Sequence, residues 1–186
     1  MVLALTYGIS AMSDAQTARP AITTYGEKNA NAPKELDVFA FLIGKWEGAR
    51  TIKLADGTSA EVTWTWIGRY VLDGMAIADE LHASLPDENP YLGITLRQYD
   101  AAKKAWIIEF LNVSNSFLRR QVNVDSGSVS VDGDAVIIIA EAPDMWGREI
   151  YRVESRDSFT YSLELSNDGG LTWGAPQYEM RLTRKE

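Results

Sequence analysis

The chain contains no cysteine and only one histidine among its 186 residues. Without thiols there is no disulfide, no thiolate metal site and no cysteine nucleophile. With one imidazole and no sulfur donor, a zinc-type centre lacks its usual ligands, so no metal and no cofactor are expected. Basic residues are scarce as well: 18 Lys and Arg stand against 26 Asp and Glu, a formal charge of −8. Nucleic acid and anionic membrane surfaces are held by clustered positive charge, so neither is an expected partner. The sequence also lacks an apolar run of the ~18 residues or more that a spanning helix needs. What remains is ordinary for a folded domain, 46% hydrophobic and 24% charged. The chain is long enough for one sizeable core.

Residues 1–18, MVLALTYGISAMSDAQTA, open apolar but lack the basic start and longer apolar stretch of an export signal. They read as an extension, which makes the cytoplasm the expected compartment and the periplasm or exterior the alternative. Residues 19–33, RPAITTYGEKNANAP, are polar with two prolines and read as a linker or strap. The expected division is an N-terminal extension or strap over 1–33 and one folded domain over 34–186.

Within that domain, apolar residues at 36, 39, 40 and 43 in KELDVFAFLI have helical spacing, and Gly44 can supply a left-handed cap. Strand patterns follow. Val62, Trp64 and Trp66 alternate with Thr63 and Thr65. Trp106, Ile108 and Phe110 share one face of their segment, and residues 136–140 form a β-branched run. Asp-Gly pairs at 56–57, 73–74, 132–133 and 168–169 suit tight hairpin turns. About ten strands joined by hairpins after one short helix predict an all-β, up-and-down antiparallel barrel.

The segment SNDGGLTW, residues 166–173, matches the Asp-box of sialidases and related glycan enzymes. Ser166 and Asp168 can bond the turn backbone, the two glycines can take positive φ, and Trp173 can fold back over the hairpin. A propeller needs several blades, and this sequence has one box and no fixed repeat. The box is therefore expected to be a structural hairpin.

FLIGKWEGAR, residues 41–50, places Gly44 and Trp46 at the entry to the first strand. This resembles the G-x-W opening of lipocalins and other calycins, and the wider Gly44-x-Trp46-x-Gly48 is similar to the start of nitrobindin-type barrels. The order of further motifs resembles a bacterial lipocalin-like domain of unknown function: VLDG at 71–74, Tyr99-Asp100, Phe110 to Asn112, and the single Asp-box hairpin. The resemblance implies a calycin-like barrel with a ligand cavity, and a Trp46 plug covered by an arginine of the last strand. Of Arg181 and Arg184, Arg181 is the expected partner. Nitrobindin-type proteins ligate haem through a histidine near the C-terminus. His82 lies far from that place, so haem is not expected.

Barrels of this size hold one small ligand. Strand parity nominates Trp64, Trp66, Arg97, Trp106, Phe110, Asn112, Arg119 and Tyr151 as its wall, with Arg119 and Arg120 competing for one inward position. An arginine there can hold a carboxylate or phenolate in a fork, or pair outside with Glu109 or Asp125. Glu109 should face solvent, and would serve proton transfer only if its face were interior. His82, two residues from Glu80 on the same face, is the candidate general base. The leading expectation is binding of a small hydrophobic or aromatic molecule. The alternatives are a cofactor-independent isomerase, cyclase or lyase in the same cavity, and an interaction module with a filled barrel. A homodimer is left open.

Overall fold

Strands with alternating apolar side chains have one face to bury, and successive hairpins give each strand antiparallel neighbours. In the computed structural model, which describes residues 23–54, 56–84, 90–112, 119–120, 128–141 and 145–186, these strands form one sheet. They are β1 (Gly44–Lys53), β2 (Ser59–Val71), β3 (Ala76–Ala83), β4 (Tyr91–Asp100), β5 (Ala105–Asn112), β6 (Arg119–Arg120), β7 (Ser128–Asp132), β8 (Ala135–Ala140), β9 (Trp146–Ser155), β10 (Ser158–Ser166) and β11 (Tyr178–Lys185). Sequence neighbours pair antiparallel except across the β6–β7 seam, and β11 returns to pair with β1. The result is the expected up-and-down barrel, nearly closed, with β6 and β7 at its edges. No described helix is long and apolar enough to cross a membrane.

Period-two alternation sends Trp46, Gly48 and Arg50 of β1 inward beside Trp64 and Trp66 of β2. Across the barrel, Tyr161 of β10 meets Trp66 edge-on, with ring centroids 5.1 Å apart. Such edge contacts are the favoured geometry of aromatic pairs.

The helix differs in kind from the expected one. Residues Lys34–Leu42 form a 3-10 helix, and its buried residues are Leu36, Phe39 and Leu42. Their spacing of three matches three residues per turn rather than 3.6. This helix stoppers the end of the barrel where β1 begins. Phe39 packs edge-on against Trp106 at 4.9 Å, and Phe41 against Phe159 at 5.3 Å.

Trp46 is 1% exposed, and its indole N–H donates to the Leu42 carbonyl at 3.0 Å. The arginine over its ring is Arg184, with the guanidinium carbon 4.1 Å from the ring centroid. Arg181 instead points outward and donates to Glu154 at 2.8 Å. The register explains the correction, because Trp46 lies directly opposite Arg184 and side chains alternate along β11. Arg184 also donates to the Ile43 carbonyl at 2.8 Å. Gly44 has φ +121°, and a Cβ there would stand 2.3 Å from an Arg184 nitrogen. Its role is thus to clear the arginine, while extended Ile43 ends the helix.

Thr23, Gly26 and Asn29 contact the end of β2 and the turn that follows it. Asn29 bonds the backbone of Asp73 and Gly74, and Gly26 bridges to Tyr70. Residues 1–22 lie outside the described residues.

The plug geometry predicts unequal effects from the two arginines. Arg184→Met removes a cation–π contact and a carbonyl donor, so it should lower unfolding free energy by about 1–3 kcal/mol. Arg181→Met should stay within about 0.5 kcal/mol of the parent. Urea unfolding of both variants checks this; equal losses would refute the assignment of Arg184.

Candidate binding site

Away from the helix plug the barrel is hollow. Inward side chains of nine strands enclose a cavity of about 430 Å³. Its walls are aromatic: Trp64 meets Tyr91 at 5.1 Å and Tyr161 meets Tyr178 at 5.8 Å between centroids. Small inward residues leave the space. Ala140 and Gly147 line it, and a Cβ on Gly147 would make only an ordinary 3.6 Å contact with Leu163. Gly93 lets Phe110 lie across β4, since a Cβ there would be 2.7 Å from the Phe110 ring.

Below the cavity sits a chain of buried polar groups. Arg97 of β4 is 0% exposed and Asp79 of β3 is 1% exposed, and the two form an ion pair. Arg97 also donates to the Tyr151 hydroxyl at 3.0 Å, and that hydroxyl donates to Glu149 at 2.7 Å. Phe39 covers the guanidinium from the helix side, its ring centroid 5.1 Å from the guanidinium carbon. Burial works against the Arg97 charge, but Asp79, Tyr151 and Glu149 more than offset it and hold the guanidinium firmly protonated. One cation therefore faces two carboxyl groups. Asp79 meets it directly, whereas Glu149 reaches it only through Tyr151. Burial pushes the Glu149 carboxyl above its ordinary range, against the pull of Tyr151 and Arg97. Burial likewise raises the Tyr151 and Tyr161 hydroxyls well above theirs. The cavity floor thus carries a carboxyl and phenols that burial biases toward their protonated forms.

The walls carry donors without acceptors. The indole N–H groups of Trp64 and Trp66, which are 5% and 3% exposed, have no hydrogen-bond partner, nor does Arg50 Nε. An unmet buried donor costs about 1–3 kcal/mol. The Arg50 guanidinium lies over the rings of Trp64 and Tyr178, 4.7 and 4.3 Å from their centroids.

Of the residues nominated from sequence, Trp64, Trp66, Phe110, Asn112 and Tyr151 line this one cavity. Arg97 lies beneath it in the ion pair, and Trp106 packs lower still against Phe39 and Tyr99. Arg119 and Arg120 form β6 against Asn112 and Leu111; their side chains, and Asp125, lie outside the described residues. The structure removes His82 from the site. Its neighbours Asp79 and Leu81 take the inward positions of β3, so His82 and Glu80 face outward. There His82 lies 3.3 Å from Glu80, which also receives Arg69 at 2.6 Å. Glu109 is likewise on the face opposite Trp106 and Phe110. The carboxyl in the cavity lining is Glu149, which parity with Tyr151 would have nominated, as parity with Trp46 would have nominated Arg50.

The Asp-box is a self-bonded turn. Asp168 accepts from the Thr172 amide at 2.9 Å and its hydroxyl at 2.6 Å, and the Gly170 amide donates to Ser166 at 2.9 Å. The Thr172 hydroxyl and amide, with Ser166, hold the Asp168 carboxyl down at about 2. Trp173 folds back over Arg148, which itself pairs with Glu164. None of these box residues lines the cavity.

The chain belongs to the family DUF1579, described as a protein of unknown function, whose model matches residues 32–176. No curated protein matches it. Its fold is similar to that of the crystal structure of Rv2717c from M. tuberculosis, with a TM-score of 0.52 and 16% identity over 84% of this chain and 100% of that one. A more distant likeness is to EF1p2_mFAP2b bound to DFHBI, with a TM-score of 0.35 and 12% identity over 78% of this chain and 94% of that one.

The raised Glu149 carboxyl predicts a pH signature. Above the ordinary value of 4.5 the unfolded chain loses this proton while the folded barrel keeps it. The folded state then binds more protons, so this group's contribution to stability falls as pH rises, until the folded carboxyl also ionises. Glu149→Gln lacks the effect. Its stability relative to the parent should therefore grow from that value upward and then level off, read from urea midpoints in a pH series. A difference that stays constant would mean that Glu149 is not held protonated.

Proposed function

We propose that this member of the DUF1579 family binds one small, mostly aromatic or apolar molecule inside its barrel. The observation that carries the reading is the cavity of about 430 Å³ whose aromatic wall holds buried, unpartnered indole donors. A volume of that order suits a ligand of a few hundred daltons, within the ~300–1,000 Å³ typical of small-molecule sites. Trp64, Trp66, Phe110, Asn112 and Tyr151 supply its contact surface, joined by Arg50, Tyr91 and Glu149. A filled barrel acting only as an interaction module is disfavoured by the same volume.

A second reading, an enzyme without cofactor, draws on the Glu149–Tyr151 pair facing that space. A carboxyl beside a phenol can, when protonated, give a proton to a bound carbonyl and, as the resulting carboxylate, take one from a neighbouring carbon, which is the core of an isomerase step. The proton donor in this reading is Glu149 rather than the outward His82.

Native mass spectrometry of freshly purified protein should show a one-to-one adduct of a few hundred daltons. Gly147→Val should fill part of the cavity, lowering affinity for that species by about tenfold, or ~1.4 kcal/mol, with little change in melting temperature. Tryptophan fluorescence titration measures the affinity. Full-strength binding by a stably folded Gly147→Val protein would place the ligand elsewhere.

A further inference from the structure

Resting on that reading, we infer that the ligand is an organic anion, an aromatic carboxylate or its equivalent, anchored by Arg50. Three independent features point to it. Arg50 is an inward residue of β1, on the same face as Trp46, and it lines the cavity. Among the described residues it makes no ion pair, and its Nε has no partner. Its only contacts of this kind are to the ring faces of Trp64 and Tyr178. A ring face stabilises the cation without occupying its N–H fork, which is the group that matches a carboxylate.

Arg97 makes the contrast. Its Nε also lacks a partner, but its charge is paired with Asp79, its fork bonds Tyr151 and its face is closed off by Phe39. Among the described residues that line the cavity, Arg50 is the cation without an ion pair. The second feature is the donor excess. Trp64 and Trp66 present buried N–H groups with no acceptor, and an indole can only donate. A ligand completing these bonds brings acceptor oxygens. The third feature is the aromatic wall, with Trp64, Tyr91, Tyr161 and Tyr178 around the same space, which suits a flat ring carrying those oxygens. Glu149 is the acidic side chain in the lining. Burial raises its carboxyl, which favours the protonated, donating form over a repelling charge.

The test compares three probes of one size: 2-naphthoate, 2-naphthalenemethanol and 2-naphthylmethylamine. Each is titrated into the full-length protein and followed by tryptophan quenching and calorimetry. The inference expects the carboxylate to bind at least about tenfold tighter than the alcohol and the amine to bind weakest. Arg50→Met should abolish the preference for the carboxylate while the alcohol keeps its affinity. The wild-type ranking needs no variant, so a misfolded Arg50→Met protein leaves the test intact. An alcohol or amine that binds as tightly as the carboxylate overturns the anion and leaves the binding cavity standing. If no probe binds at millimolar concentration, both the anion and the cavity reading fall.

Discussion

A guanidinium with no access to water sets the terms for this barrel. Moving Arg97 from solvent into the interior is expensive unless the charge is paired and its donors are met. The fold meets the charge from three directions: Asp79 on the adjacent strand, Tyr151 from the opposite wall, and the Phe39 ring from the helix, with only the guanidinium Nε left without a partner. Because β4 and β9 are far apart in sheet order, the Arg97–Tyr151 bond ties two walls together across the interior. Breaking a buried pair leaves a stranded charge, so this cross-link fixes the width of the barrel at that level.

The same group divides the interior. On the helix side of Arg97, Leu36, Phe39, Leu42, Trp46, Phe159 and Leu182 pack without exposure above 1%. On the other side the strands continue, and no helix among the described residues enters to fill the space. The side chains there are large rings braced against one another and against backbone glycines. They cannot collapse inward without leaving the edge contacts they already make. A closed half and a hollow half therefore follow from where the helix Lys34–Leu42 lies. The Asp-box hairpin and the outward His82–Glu80–Arg69 cluster stand apart from both.

The barrel was legible because period-two alternation and Asp-Gly turns are local signals, and hairpins convert local order directly into strand order. The aromatic wall was legible for the same reason: Trp64, Trp66, Phe110 and Tyr151 keep the parity that the sequence displays. Three things were not local. Whether Arg181 or Arg184 covers Trp46 depends on the β1–β11 register, which joins residues near opposite ends of the domain. Whether His82 or its neighbour points inward needs the register of β3 against β2 and β4. Helix type is not fixed locally either, because four apolar residues over two turns fit a period of 3 almost as well as 3.6. Glu149 and Arg50 escaped notice because a charged residue on a strand is ordinarily assigned to solvent, although parity alone placed each beside an inward aromatic.

Arg50 and the indoles of Trp64 and Trp66 also bear on why the cavity persists. A protein selected only for stability would replace an unmatched arginine and two unmet indole donors with apolar groups, since each unmet donor works against the folded state. Their cost is removed when a partner occupies the space. Any molecule that binds the folded form alone then adds a stability that grows with its concentration above the dissociation constant. In the filled base Arg97 is paired with Asp79 and Tyr151, whereas in the upper half Arg50 Nε and the indole N–H groups of Trp64 and Trp66 are without acceptors.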